Sequence, residues 1–268
     1  NLDQLRADGV HIMDPDSGEM ACKTIGPGRL SEPEQIVTAA LEILSASSRK
    51  DLVGERLLIT VGATREEIDP VRFISNRSSG RMGFALAEAA LKRGADVTVV
   101  RGVTTVEPPS GVRVVRALSA EEMARAVASE AKSATVFIGA AAIADYRPTQ
   151  RSGEKIKKSD ETLTLTLERT PDVLSQVAAA KSNGLLVIGF AAETQNVIEN
   201  AQKKLAGKKL DAIVANDVTR PDAGFDTTTN AVTIITKNGG PVELPVMSKR
   251  EAADRILDVI ISLRSHGN

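Results

Sequence analysis

Between residues 56 and 264 short apolar runs alternate with amphipathic stretches of helical spacing, and this alternation constrains the fold more than any other feature. Residues 57–61 (LLITV) read as a buried strand, closed by Gly62. A polar segment, 63–79, leads into a helical stretch with Met82, Leu86, Ala89, Ala90 and Leu91 on its apolar side. Runs at 96–100 and 112–116 read as further strands. Ser119 to Glu122 is a capping box that opens a helix to about residue 132. Residues 135–142 are apolar throughout, as in the centre of a parallel sheet. The segment 162–167 (TLTLTL) alternates like a strand with one solvated face. Thr170-Pro171-Asp172 opens a helix, and 185–191 is another buried strand. A helix over 195–205 stops at Gly207, and a strand covers 212–215. Residues 231–246 read as a hairpin around Lys237-Asn238-Gly239-Gly240, and Ser248 to Glu251 caps a final helix. The pattern predicts an α/β fold: a doubly wound, mostly parallel Rossmann-like sheet in three αβα layers, with an antiparallel β extension.

Residues 1–50 lack this alternation. They hold a helical start over 1–7, a short strand at 10–13 and a Gly/Pro-rich loop over 14–30. Ser31-Glu32-Pro33-Glu34 reads as a capping box for a helix to about residue 44, and 45–55 as a polar linker. The expected division is a unit over 1–50 and the main domain over 51–268. The first residue is not Met, as if the chain were cut from a longer protein.

Composition narrows the chemistry. A net charge of -1 over 268 residues gives no basis for bulk nucleic-acid binding. No apolar run approaches ~18 residues, and the N-terminus is polar, so neither a membrane span nor a signal peptide is expected. The lone Cys22 excludes an internal disulfide and fits a cytoplasmic protein. His11 and His266 are the only histidines, one near each end, so a histidine triad or multi-histidine metal site inside the main domain is impossible.

In doubly wound sheets ligands bind beyond the carboxyl ends of the strands. There, Ser78-Ser79-Gly80-Arg81 opens a helix with free backbone N–H groups, a ready anion site. Gly139-Ala140-Ala141-Ala142 would let a ligand approach the backbone. Asp145 follows, either a turn cap or a nucleotide or Mg²⁺ contact. A basic loop, Glu154 to Lys158, is either solvated or set against a triphosphate. Pro171 and Asp172 begin a helix. Phe190 is either core or a platform for a base. Lys203, Lys204, Lys208 and Lys209 cluster beyond what a helix dipole requires. Together these features point to a nucleoside triphosphate site.

The segments DPVRFISNRSSGRMG (69–83), GAAAIADYRP (139–148), EKIKK (154–158), Pro171-Asp172, GFAAET (189–194) and AND (215–217) resemble, in order, phosphopantothenate–cysteine ligase. In bacteria that ligase is the C-terminal half of a bifunctional coenzyme A biosynthesis protein. The resemblance implies a CTP- and Mg²⁺-dependent enzyme that joins 4′-phosphopantothenate to L-cysteine through an acyl-cytidylate and works as a homodimer. It implies catalytic roles for Lys155 (formation of the acyl-cytidylate) and Asn76 (its turnover). Gly139, Ala140, Ala141, Asp145, Lys155, Pro171, Asp172, Val173, Leu174, Phe190, Lys204 and Lys208 match nucleotide contacts, with Asp145 the candidate metal ligand. Asn76 and Ala142 match the acid substrate's side of the site, and Ser78, Ser79, Gly80 and Arg81 would hold an anionic group, the phosphate either of phosphopantothenate or of the nucleotide. Segments 142–170 and 231–246 become candidate dimer elements. GEMACKTIGPGRL (18–30) resembles the tail of a flavin-dependent phosphopantothenoylcysteine decarboxylase, in which Cys22 matches an acid on the enethiolate. FMN would belong to the body of that domain, which this sequence does not contain, so neither flavin nor decarboxylase activity is expected here. Two other readings remain open: an NAD(P)-dependent reductase, disfavoured by the absence of GxGxxG in the first loop, and a non-catalytic nucleotide-sensing module.

Overall fold

The structure, a computed structural model, describes residues 1–8, 10–19, 25–157, 162–181, 184–219, 224 and 227–265. Cys22 and Lys158 lie outside the described residues. The chain divides into two compact units, Asn1–Lys50 and Asp51–Asn268.

The first unit contains α1 (Leu2–Ala7), an antiparallel pair β1 (Asp16–Glu19) and β2 (Ile25–Arg29), and α2 (Pro33–Ser48). The short strand expected at 10–13 is absent. The segment expected to be loop instead pairs with itself, because ladder hydrogen bonds outweigh the poor strand propensity of Gly26 and Pro27. The cap of α2 also shifts by one residue: Glu32 and Gln35 form the reciprocal box.

The second unit runs β3 (Arg56–Val61), β4 (Arg65–Glu67), β5 (Phe73–Ser75), α3 (Arg81–Lys92), β6 (Asp96–Arg101), β7 (Arg113–Arg116), α4 (Ala120–Glu130), β8 (Val136–Gly139) and β9 (Tyr146–Pro148). It continues with β10 (Leu167–Arg169), α5 (Val173–Ala179), β11 (Leu186–Glu193), α6 (Val197–Gly207), β12 (Ala212–Asp217), β13 (Thr229–Thr236), β14 (Val242–Ser248) and α7 (Lys249–Ser265). Eight strands form one sheet in the order β14-β13-β12-β11-β8-β3-β6-β7. From β12 to β7 the pairing is parallel; β13 and β14 add antiparallel. Val136, Phe137 and Ile138 are fully buried, as a strand covered on both faces requires.

Two cores flank the sheet. On one face Leu57, Ile59, Val61 and Ile138 pack with α3 and α7. On the other Leu58, Phe137, Val187 and Ile213 pack with α4, α5 and α6. The α/β sandwich with its antiparallel extension is therefore the architecture read from the alternation.

Glycines bring the helices close to the sheet at two places. A Cβ on Gly83 of α3 would lie 2.6 Å from Val61 Cγ2. One on Gly189 of β11 would lie 2.8 Å from Leu174 Cδ2 in α5 and 2.9 Å from Leu210 Cδ1.

Two expectations change. Residues 162–166 form no strand. Their neighbour β9 is three residues long, so only β10 finds a strand partner, with two further bonds to Thr166 O, from Thr149 N–H (3.0 Å) and Oγ1 (3.3 Å). The 63–79 connection is also not plain loop, since β4 and β5 pair within it as a small hairpin.

Candidate nucleotide-binding site

A cavity of about 460 Å³ opens at the carboxyl end of β8, beside Phe190 of β11 and Ile213 of β12, on the α5–α6 face of the sheet. Its floor is Gly139, the last residue of β8, and Ala141 beyond it, with Phe190 and Ile213 beside them. Gly139 and Gly189 are register partners, and both face Leu174. Their missing side chains let α5 settle on the sheet, which carries Pro171, Asp172, Val173 and Leu174 to the cavity wall.

The segment after β8 leaves the sheet through bonds to side chains and neighbouring loops. Ala141 N–H donates to Thr60 Oγ1 (3.2 Å) and Ala144 N–H to Thr64 Oγ1 (3.0 Å). Ala142 N–H donates to Gly62 O (2.8 Å). Thr170 Oγ1 donates to Ala144 O (2.5 Å), and its N–H to Asp145 O (3.0 Å). Side-chain hydroxyls thus replace the sheet ladder and fix Asp145 and Tyr146 on the rim.

Two lysines line the opposite side. Lys204 and Lys208 stand one helical turn apart at the end of α6. Lys204 Nζ pairs with Glu193 Oε1 (2.6 Å) and Lys208 Nζ with Asp172 Oδ2 (2.7 Å). Asp172 also caps α5, accepting from Ser175 N–H (3.0 Å) and Oγ (2.8 Å). Burial pushes the Asp172 carboxyl upward, but the bonds from Lys208 and Ser175 outweigh it and hold it below the usual carboxylate range.

Of the sequence candidates, the cavity gathers Gly139, Ala141, Asp145, Pro171, Asp172, Val173, Leu174, Phe190, Lys204 and Lys208. Ala140 and Ala142 adjoin it without lining it. The four-lysine cluster resolves into a pair, since Lys203 turns to Glu199 in solvent.

Other candidates lie elsewhere. Ser78 to Arg81 lead into α3, which packs on the opposite face of the sheet. There Ser79 and Gly80 are buried, and Gly80 (φ +82°) sits against Thr104, where a Cβ would lie 2.6 Å from Thr104 Cγ2. Asn76 is exposed, and its Nδ2 donates to the carbonyl of Ile143, a cavity residue (3.0 Å). Lys155 is exposed on the loop between β9 and β10 and does not line the cavity of its own chain. Sequence reading missed Thr60, Tyr146, Arg169 and Thr170. Thr60 carried a signal, a lone hydroxyl in an otherwise apolar strand.

No three potential ligands from His, Cys, Asp and Glu converge among the described residues. Asp145 is a single carboxylate on the rim. That suits Mg²⁺ carried in on phosphates, which needs only one or two protein carboxylates.

Residues 52–263 match the family described as DNA/pantothenate metabolism flavoprotein C-terminal domain. The chain belongs to this family. Relatives named coenzyme A biosynthesis bifunctional protein CoaBC occur in Haemophilus influenzae and Bacillus subtilis. Each is 44% identical, over 261 and 264 residues, which is 97% and 98% of this chain and 64% and 65% of theirs. The chain thus spans somewhat less than two thirds of their length. A crystal structure of the C-terminal domain of a CoaBC protein is 42% identical, with a TM-score of 0.70, and the match covers 81% of this chain and 99% of that one. Among the described residues no helix of this family member is long and apolar enough to cross a membrane.

Proposed function

We propose that this chain is a ligase that joins 4′-phosphopantothenate to L-cysteine, using CTP. Family membership and likeness to the CoaBC C-terminal domain support the activity. The observation that carries it is the cavity itself, where two lysines one helical turn apart and a helix-capping aspartate border a floor of glycine and alanine.

The chemistry needs no histidine. A carboxylate is already an anion at neutral pH, so its oxygen can attack the α-phosphorus of CTP directly. An acyl-cytidylate forms as the bond to pyrophosphate breaks. The amine of cysteine then attacks the acyl carbon, CMP leaves, and the amine loses a proton. The first step is limited by charge and alignment, which are supplied by positioning and electrostatics.

Lys204 and Lys208 would turn from Glu193 and Asp172 to the phosphates. The base would sit between Phe190 and the Pro171–Leu174 wall. Asp145 would hold Mg²⁺, whose charge eases departure of pyrophosphate. Asn76, anchored at Ile143, would donate to the acyl oxygen as the amine attacks. Lys155 would act on the first step, and the chain would work as a homodimer. Segments 142–170 and 231–246 are its candidate contacts. Ser78 to Arg81 would hold an anionic group of the substrates. Residues 1–50 would be the end of an FMN-dependent decarboxylase domain, in a cytoplasmic protein.

Pyrophosphate release, assayed with each of the four nucleotides in the presence of phosphopantothenate and without cysteine, tests the reading. CTP should support release. Binding of CTP without release would instead favour a nucleotide-sensing module.

A further inference from the structure

The Asp69 side chain is completely buried, although Pro70 and Val71 beside it are exposed. Its Oδ1 accepts from the N–H groups of Val71 and Arg72, both at 2.8 Å. Its Oδ2 accepts from Arg72 Nε (2.9 Å), Arg72 Nη2 (2.5 Å) and the N–H of Ile156 (3.1 Å). Arg72 Nη2 also donates to Ile156 O (2.8 Å), so that residue is gripped by both of its peptide groups. Ser152 N–H donates to Ile68 O (2.9 Å), fastening the same loop on the other side of Lys155.

The turn that bears Asp69 is joined just as firmly to Asn76. Ile68 N–H donates to Arg72 O (2.8 Å), β5 follows directly, and Ser75 Oγ donates to Thr64 O (2.7 Å). A buried carboxylate without partners is costly, so a site with five donors around one is built to hold its shape. Its shape links two loops that are 87 residues apart in sequence.

We propose that Asp69 is a positioning residue of the ligase site: through Arg72 and the peptide groups of Ile156 it sets the Lys155 loop in fixed relation to the segment bearing Asn76. This rests on the roles given above to Lys155 and Asn76. Asp69 touches no substrate. Its effect falls on the rate of the first step and not on nucleotide binding, because it makes no contact with the cavity wall formed by Pro171–Leu174, Lys204 and Lys208.

Asp69→Asn is nearly isosteric but turns one accepting corner into a donor facing donors. Hydrogen exchange at the Ile156 amide should quicken at least about tenfold in this variant. The kcat for pyrophosphate release should fall by about 100-fold, the scale expected when a reacting group is displaced by ~1 Å. The KM for CTP should stay at the parent value, and Asp69→Glu should recover part of kcat. Unchanged exchange at Ile156, or a loss expressed wholly in KM, overturns the proposal. If Asp69→Asn does not fold, the parent decides: an Ile156 amide exchanging at the rate of an unstructured peptide refutes the clamp. A parent chain that releases no pyrophosphate sinks the ligase reading, while the exchange comparison still judges the clamp.

Discussion

Lys204 and Lys208 show what spacing alone reveals at single positions. Four residues apart on one helix, they share a face, and both line the cavity. Lys155 shows what it conceals, since its loop is fastened by a carboxylate far back in the chain and no local periodicity records that bond. The two proposed catalytic residues should separate in their effects. Lys155→Gln should abolish pyrophosphate release while CTP affinity, measured by calorimetry, stays near the parent value. Asn76→Asp should release pyrophosphate once and accumulate the acyl-cytidylate, detectable by mass spectrometry. Asp172 gives a prediction in pH. Its folded-state pKa is lowered by Lys208 and Ser175 against the effect of burial, so its stabilisation is fully present above the ordinary carboxylate value of ~3.9. That stabilisation is lost as pH falls through the lowered folded value. Urea unfolding should therefore find Asp172→Asn less stable than the parent at neutral pH, with the two converging in acid.

At the level of strands and helices, the apolar runs that become β3, β8 and β11 were plain in sequence because burial on both faces leaves little choice of residue. The strand pattern at 162–166 misled, because alternation supplies a face but not a partner, and β9 ends at Pro148. The hydroxyl network of Thr60, Thr64 and Thr170 that shapes the cavity rim joins distant segments and was equally hidden. The seat of α5 rests on Gly189. Gly189→Ala places a methyl 2.8 Å from Leu174 Cδ2 and 2.9 Å from Leu210 Cδ1. Overpacking of this kind should cost about 1–3 kcal/mol in thermal or urea unfolding. Because α5 carries Pro171 and Asp172, CTP affinity should fall with it, whereas a purely local clash would leave affinity unchanged.

On the scale of the whole chain, the second unit carries its own fastening. Arg93, at the end of α3, is buried, with Nη2 2.8 Å from Asp51 and 2.9 Å from Asp258 of α7. Burial disfavours its charge, yet these carboxylates more than compensate and raise its pKa. The unit that begins at Asp51 therefore closes on itself, and residues 51–268 alone should fold and release pyrophosphate at the rate of the longer chain. Loss of activity on removing residues 1–50 would mean that the first unit contributes to the site. The most direct test of the account is a crystal structure of the chain with CTP bound. The account predicts phosphate oxygens within hydrogen-bonding distance of Lys204 and Lys208, with the base against Phe190 and the Pro171–Leu174 wall. CTP bound anywhere other than the cavity at the carboxyl end of β8, with both lysines still paired to Glu193 and Asp172, would contradict it.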